Sequence, residues 1–264
     1  MKTIIIIACM SFSLFSNAQM KEGKVIYERT IQMQFRGNNP EIANNMPRER
    51  KEKFELSFAN NQSLWEAMPD LDANADGGGE GNGNRVFMRF GGGDDVTYYN
   101  FETGKRVDQR ELNSKNYLVE DSIQKLKWKL TGESKTILGH KAQKAKTERI
   151  GTRFVMSMEN GEMKRQEVAD TTVINAWFAM DIPVAAGPDF QGQLPGLIVE
   201  LDMNNGRTVY KALEISPKVN ATAVKEPKGG KRISAVDFNK ERDKVMEDMR
   251  RNMPAGRQVR VFNQ

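Results

Sequence analysis

The sequence has very little of the two residue types on which most metal and thiol chemistry depends. Its 264 residues include one cysteine, Cys9, and one histidine, His140. A single cysteine cannot close an intrachain disulfide, and a single histidine cannot supply the histidine pairs of zinc sites. We therefore interpret His140 as a structural or exposed residue. Cys9 loosely resembles a lipoprotein cleavage site, but the apolar run continues past it, so we expect no lipid anchor.

Long apolar runs are also missing, except at the N-terminus. There a lone Lys2 precedes an apolar stretch that ends near Phe15, which is too short to span a bilayer. Small residues at the positions read by a signal peptidase follow and end at Ala18. This order predicts a secretory signal peptide over residues 1–18 and a mature chain that starts at Gln19. We expect an exported protein, periplasmic or associated with the outer envelope, that does not span the membrane.

No charge of either sign dominates. Lysine and arginine total 40, aspartate and glutamate total 35, and the two signs are interspersed. The densest basic clusters, residues 228–232 and 250–260, are typical of a solvated face. Because exported proteins rarely meet nucleic acid, we expect no nucleic-acid partner.

Apolar residues alternate with polar ones along much of the chain, which is typical of β-strands with one buried face. Clear examples are the run from Val25 to Phe35 and the lysine-separated Leu126, Trp128 and Leu130. Asn60-Asn61 and Asn160-Gly161 predict turns between strands. Only residues 236–253 have the periodicity of a helix. The pattern predicts a mostly β, antiparallel domain over residues 19–264 with a C-terminal α-helix.

Residues 69–95 differ in composition from the rest. They are rich in glycine, aspartate and asparagine, so we expect a mobile loop. Its start resembles an EF-hand loop, although Gly83 replaces the bidentate glutamate that the twelfth position needs. We interpret the segment as a solvated loop, with a weak calcium site as the alternative; no other cofactor is expected. The candidate calcium ligands are Asp72, Asn74, Asp76 and Glu80.

The stretch before residue 201 contains prolines and glycines at fixed places between two predicted strands. Such residues specify a compact loop rather than a flexible one. Pro195-Gly196 predicts a type II turn, in which Gly196 has a positive φ. In the strand that follows, Leu197 should point to the same side as Leu201. The candidate site residues, structural or ligand-binding, are Trp177, Pro183, Gly187, Pro188, Leu194, Pro195, Gly196, Leu197 and Ile198.

These residues resemble the GLPGLI family, exported proteins found mainly in Bacteroidetes. The family motif here reads Gln193-Leu194-Pro195-Gly196-Leu197-Ile198, with Gln193 in place of the first glycine. Other elements of the family pattern also occur at matching places along the chain. They are Val25-Ile26-Tyr27, Trp128, Gly139-His140-Lys141-Ala142, Lys144-Ala145, Trp177-Phe178, Ile182-Pro183 and Gly187-Pro188.

The resemblance implies an envelope protein and brings no catalytic residues with it. It also implies a single open, curved, half-barrel-like sheet, similar to the half-barrels that carry lipoproteins or lipids. We expect a binding or carrier module for an apolar ligand or a protein segment. One alternative is an accessory protein of an outer-membrane receptor or transporter. A carboxylate-based hydrolase is the other, since 35 acidic residues leave many carboxylate pairs open.

Overall fold

A computed structural model describes residues 19–33, 47–69, 96–159 and 162–251. In these ranges the chain forms twelve strands and, after them, one helix. The strands are β1 (Gly23–Gln32), β2 (Glu49–Ala59), β3 (Gln62–Ala67), β4 (Val96–Asn100), β5 (Lys105–Leu112), β6 (Lys115–Ser122), β7 (Lys129–Ile137), β8 (His140–Glu159), β9 (Glu162–Ala179), β10 (Leu197–Met203), β11 (Thr208–Ser216) and β12 (Lys231–Ser234), and the helix is α1 (Ala235–Arg251).

All twelve strands belong to one open, curved sheet with the order β12-β6-β5-β4-β3-β2-β1-β11-β10-β9-β8-β7. The predicted mostly β fold with a C-terminal helix is confirmed. Strands β2 to β6 form a meander on one side of β1, and β11 to β7 form a second meander on the other. Every pairing is antiparallel except that of β12 with β6, which is parallel.

Asparagine pairs close two of the hairpins. Asn60 and Asn61, between β2 and β3, have φ values of 52° and 57°, and Asn204 and Asn205 between β10 and β11 have 56° and 53°. Asn60-Asn61 is a two-residue hairpin turn, which requires two consecutive positive φ angles, and asparagine tolerates them. The β10–β11 loop is longer, since Met203 pairs with Thr208, and Gly206 continues its positive φ angles at 88°. The predicted turn at Asn160-Gly161 lies outside the described residues.

One face of the sheet is covered by residues 182–196, which we call the covering segment. Apolar side chains of β1, β2, β9 and β10 on this covered face pack against Ile182, Ala186, Phe190 and Leu194. Tyr27 at the centre of the sheet has no exposed surface. The main core therefore lies between the sheet and a loop that contains no helix or strand.

The lysine-separated run of Leu126, Trp128 and Leu130 does not form the strand that its alternation predicts. Strand β7 begins only after Trp128, and Leu130 is 66% exposed. Leu126 and Trp128 pack against the core without strand pairing. The side-chain oxygen of Gln193 accepts hydrogen bonds from both of these residues. This stretch is therefore bonded to the covering segment and not to a neighbouring strand.

Helix α1 follows β12 directly. The hydroxyl of Ser234 accepts a hydrogen bond from the amide of Asp237 at 3.1 Å, which caps the N-terminus. The ring of Phe238 packs edge-on against Tyr117 at 5.4 Å, and the Tyr117 hydroxyl donates to Glu241. These contacts hold the helix against the β6 edge of the sheet.

The predicted signal peptide, Cys9 and nearly all of the predicted loop 69–95 lie outside the described residues, including Asp72, Asn74, Asp76 and Glu80. In the part of the chain that is described, no helix is long and apolar enough to cross a membrane.

Candidate functional site

The covering segment joins the sheet at Gly196. Its φ is not positive, so the predicted type II turn at Pro195-Gly196 is wrong. The glycine is needed for a different reason: a Cβ at this position would collide with the backbone carbonyl of Ala179 on β9. Close approach of two backbones, not a left-handed conformation, explains the Pro-Gly pair.

A bulge in β10 also corrects the expected side-chain direction. Leu197 pairs with Ala179 and Leu201 with Ala176, because the register shifts between Ile198 and Glu200. Cross-strand partners share a face, and Ala179 and Ala176 lie on opposite faces of β9. Leu197 and Leu201 therefore point in opposite directions, and both are fully buried.

Gly187, inside the covering segment, lies against Ile198, just after the segment ends. Gly187 has a φ of 149°, and a Cβ there would lie 2.5 Å from Cβ of Ile198. The amide of Ile198 donates to the carbonyl of Ala186 at 2.9 Å, and its own carbonyl accepts the hydroxyl of Tyr27 at 2.7 Å. Burial raises the pKa of Tyr27, so this hydroxyl keeps its proton.

Two glutamines hold the covering segment on the sheet. Gln191 is 2% exposed, and its side-chain oxygen accepts the hydroxyl of Ser63 on β3 at 2.5 Å. Gln193 accepts the backbone amide of Leu126 at 3.1 Å and the indole N–H of Trp128 at 3.0 Å. The departure from the family motif at Gln193 thus has a structural function.

The other predicted residues have different surroundings. Leu194 and Pro188 are buried, whereas Pro183 and Pro195 are exposed. Trp177 pairs with Glu200 and Lys144 on the face opposite the covering segment. Its ring lies 4.2 Å from the ammonium of Lys135, which also bonds Glu200. The predicted set is therefore a packing junction plus a separate surface tryptophan. None of these residues carries a reactive group.

The chemically distinctive residue is Asp189, which is not among the site residues predicted from the sequence. The amide of Phe190 donates to the carbonyl of Pro188, and Asp189 between them has a φ of 53°. This is the geometry of a γ-turn with a left-handed central residue, which is rare and strained. Strained backbone in a non-glycine residue is a feature of functional sites.

Asp189 lies close to Arg29 and Tyr210 of the covered face, and Glu52 is bonded to the same Arg29. Arg29 and Glu52 pair across β1 and β2, and Arg29 and Tyr210 pair across β1 and β11. Arg29 donates from Nε to Glu52 at 2.8 Å and from Nη1 to the Tyr210 hydroxyl at 3.3 Å. Tyr210 is close enough to Asp189 to lower the pKa of its carboxyl. We call these four residues the Asp189 site.

Water and protein both surround Asp189. The residue is exposed to solvent, yet many protein atoms surround its carboxyl. This enclosure raises the pKa of Asp189, although Arg29, Tyr210, Arg106 and Arg149 act in the opposite direction. Contact with water limits the size of the effect, but not its direction.

Tyr210 and Arg29 keep their ordinary protonation states. Burial raises the pKa of Tyr210, and Asp189 raises it further. Burial alone would lower the pKa of Arg29, but its contacts with Tyr210 and Glu52 outweigh this effect and raise it. The site thus offers a fixed guanidinium, a phenol and two carboxyl groups, one of which has a raised pKa.

A second charged group continues the site toward β5. Arg106 bonds Asp108 at 2.9 Å, and its guanidinium lies 5.7 Å from the ring of buried Tyr99. Both residues share the covered face, since Arg106 pairs with Tyr99 across β4 and β5. Opposite charges therefore alternate along this part of the face.

This arrangement can bind a polar ligand or move a proton at Asp189. No three histidine, cysteine or acidic side chains of the described residues are grouped to hold a metal ion.

One signal in the sequence could have indicated this site: Asp189 is the only charged residue among residues 182–196. His140, in contrast, bonds the exposed Asp181 at 2.7 Å and has no second catalytic partner among the described contacts.

Part of the chain is similar to a protein family of unknown function. Residues 128–200 match a family model described as "Protein of unknown function (Porph_ging)". This stretch includes Trp128, the whole covering segment and the bulged start of β10. No curated protein matches the chain.

Two solved structures of PNGF-II, in space groups C2 and P21, resemble the chain with TM-scores of 0.49 and 0.48. Sequence identities are 16% and 15%, and the alignments cover 83% and 85% of this chain. They cover 32% and 34% of the PNGF-II chains, so this chain spans about a third of their length.

Proposed function

We propose that this chain is an exported protein of the cell envelope, of the GLPGLI type, and that it is a non-catalytic binding module. Its ligand would bind at the Asp189 site. One observation carries this proposal: Asp189 is kept in a strained γ-turn, open to solvent, against Arg29 and Tyr210. A residue with only a packing role would not need a charged, left-handed turn at this position.

The proposal replaces the apolar ligand with one of mixed polarity. Apolar side chains on the covered face pack against Ile182, Phe190 and Leu194 of the covering segment. That volume is therefore occupied within the described residues. The accessible part of the face is instead lined by charged and aromatic side chains, which suit a ligand with hydrogen-bonding groups.

Native mass spectrometry of protein purified from its own envelope tests the binding module. The wild type should carry a small bound mass that Asp189→Asn loses, with unchanged circular dichroism. Asp181→Asn is the matched control, because Asp181 is also an exposed loop aspartate but bonds His140 instead. An equal bound mass in wild type and Asp189→Asn, or none in either, would count against the proposal.

A carboxylate-based hydrolase is the second candidate. It is favoured by the raised pKa of Asp189, which would suit a general acid, and by Glu52 on the other side of the shared Arg29. The same experiment separates the two functions. A hydrolase would carry a cleaved ligand in the wild type and the intact ligand in Asp189→Asn, whereas a binding module would carry the intact ligand in the wild type and none in Asp189→Asn.

A further inference from the structure

An aromatic cluster adjoins the Asp189 site on the covered face. Trp65 on β3 packs nearly parallel to Phe54 at 5.1 Å and edge-on to Tyr210 at 6.0 Å. Tyr27 contacts the same indole at 5.3 Å. Three neighbouring rings fix its orientation, and Trp65 still keeps part of its surface in water.

The polar groups of the Asp189 site lie directly beside this aromatic cluster. The guanidinium of Arg29 lies 4.8 Å from the ring of Phe54, and Tyr210 contacts both Trp65 and Arg29. The side chains of Arg29 and Glu52 are 28% and 21% exposed. A ligand lying on the indole would therefore meet N–H donors from Arg29 and carboxyl acceptors from Glu52 and Asp189.

The charge pattern argues against an ionic ligand. Arg29 bonds Glu52, Arg106 bonds Asp108, and Asp189 lies in the field of both arginines. Arg50 also bonds Glu52, Arg110 lies 3.9 Å from Asp108, and Arg149 acts on Asp189, so charges of both signs are interspersed and no patch of one sign forms to attract an ion. The ligand that fits has an apolar face for the indole and several neutral hydroxyl groups for the carboxylates and the guanidinium.

We propose that the Asp189 site together with Trp65 binds a neutral carbohydrate, with one sugar ring stacked on the indole and its hydroxyl groups bonded to Arg29, Glu52 and Asp189. This inference rests on the proposed binding function and names its ligand class. Carbon-bound hydrogens on one side of a sugar ring supply the apolar face. Its hydroxyl groups both donate and accept, which matches a site that contains donors and acceptors.

The test is an array of neutral, sialylated and sulfated oligosaccharides, followed by titration calorimetry with the best neutral oligosaccharide. We expect binding to neutral members, weakened at least tenfold by Trp65→Ala and by Asp189→Asn. The matched control is Trp177→Ala, which removes a tryptophan from the opposite face and should change the affinity less than twofold. If Trp65→Ala does not fold, Asp189→Asn alone provides the comparison with Asp181→Asn.

Other outcomes separate this inference from the proposed function. If no neutral oligosaccharide binds while Asp189→Asn still loses the envelope-derived mass, the binding function stands and the carbohydrate class is wrong. Preference for sulfated glycans, or Asp189-dependent binding on a peptide array, likewise overturns the neutral carbohydrate. Binding that neither Trp65→Ala nor Asp189→Asn weakens overturns the location of the site.

Discussion

Gly196 lies so close to the backbone carbonyl of Ala179 that no side chain fits between them. The glycine marks the point where the covering segment enters the sheet and β10 begins to pair with β9. The Leu-Pro-Gly-Leu-Ile run is therefore a joint between a loop and a strand. The residue with reactive chemistry, Asp189, is seven positions earlier in the same segment.

Gly196→Ala should destabilise the fold by about 1–3 kcal/mol or more, because the added Cβ forces the β9 and β10 backbones apart. Gly151→Ala is the matched control: Gly151 is also in a strand, and an added Cβ there meets no atom within 4 Å. The control should be neutral or slightly stabilising. Urea unfolding of both variants checks this, and equal midpoints would contradict it.

Leu197→Ala should lower the free energy of unfolding by about 2–5 kcal/mol, because Leu197 is fully buried and its loss leaves a cavity. Leu130→Ala removes the same atoms from a side chain that is 66% exposed, and should change stability by less than about 0.5 kcal/mol. Thermal melting compares them. An unshifted melting temperature for Leu197→Ala would mean that the side chain contributes to binding a partner and not to the stability of the core.

Gln193→Ala should cost about 1–3 kcal/mol, because the amide of Leu126 and the indole N–H of Trp128 lose their shared acceptor. Tryptophan fluorescence should shift as the surroundings of Trp128 change. Gln124→Ala, which removes an exposed glutamine of the preceding segment, is the control and should leave both stability and emission unchanged. A Gln193→Ala protein with wild-type stability would show that these hydrogen bonds contribute no net stability.

Asp189 should make stability depend on pH. Its pKa in the folded chain lies above the ordinary value of about 3.9, so the folded chain binds more protons than the unfolded chain between the two values. The free energy of unfolding therefore falls as pH rises through that window. Asp189→Asn cannot ionise, so it should gain stability relative to the wild type over the same window. Urea unfolding at a series of pH values measures the difference, and a constant or opposite trend refutes the effect.

The β12 edge of the sheet should loosen in acid and in salt. Arg232 bonds Glu120 and Glu226, and Lys105 bonds the same two carboxylates at 3.3 and 3.2 Å. The hydrogen bonds from Arg232 and Lys105 lower the pKa of Glu120, and the same partners lower that of Glu226 against the effect of its burial. Their stabilisation is present above the unfolded value of about 4.3 and is lost as pH falls through the folded values.

Hydrogen exchange measures this loosening. Exchange at β12 should accelerate a few-fold in Arg232→Gln, and also in about 1 M salt, where charges on the surface are screened. Exchange in β1 and β2 should not change, since the central strands lack this network. Uniform acceleration over the whole sheet would mean that these ion pairs stabilise the whole fold and not the β12 edge alone.

The alternating patterns around Tyr27 and Phe54 predicted their strands because one buried face determines which residues are apolar. The same reasoning failed at Leu126 and Trp128, where alternation arises from contact with a loop. Periodicity records which side chains are buried, but not what buries them. Only the tertiary hydrogen bonds of Gln193 distinguish the two cases.

The candidate site was harder to predict for a related reason. Arg29 interrupts an apolar strand face, and Asp189 is a lone charge in a turn, so each is visible in the sequence. Their meeting depends on β1 pairing with β11 and on the γ-turn that directs Asp189. Nothing in local composition specifies a long-range pairing. Each residue could therefore be identified as unusual, but their proximity in the fold could not be predicted.

Strand β1 stands between the two meanders and is the only strand of the described sheet that joins them. Its partner β2 follows it in the sequence. Its other partner is β11, where Tyr27 pairs with Ala212, more than 180 residues later in the chain. Closing so long a loop is slow, because the entropy is lost before the contacts form. The β2–β6 meander is local in sequence and can form while the later strands are still being made, so we expect the pairing of β1 with β11 and the hydrogen bond from Tyr27 to Ile198 to form after it. We therefore expect the Asp189 site to be completed only when these distant parts of the chain meet.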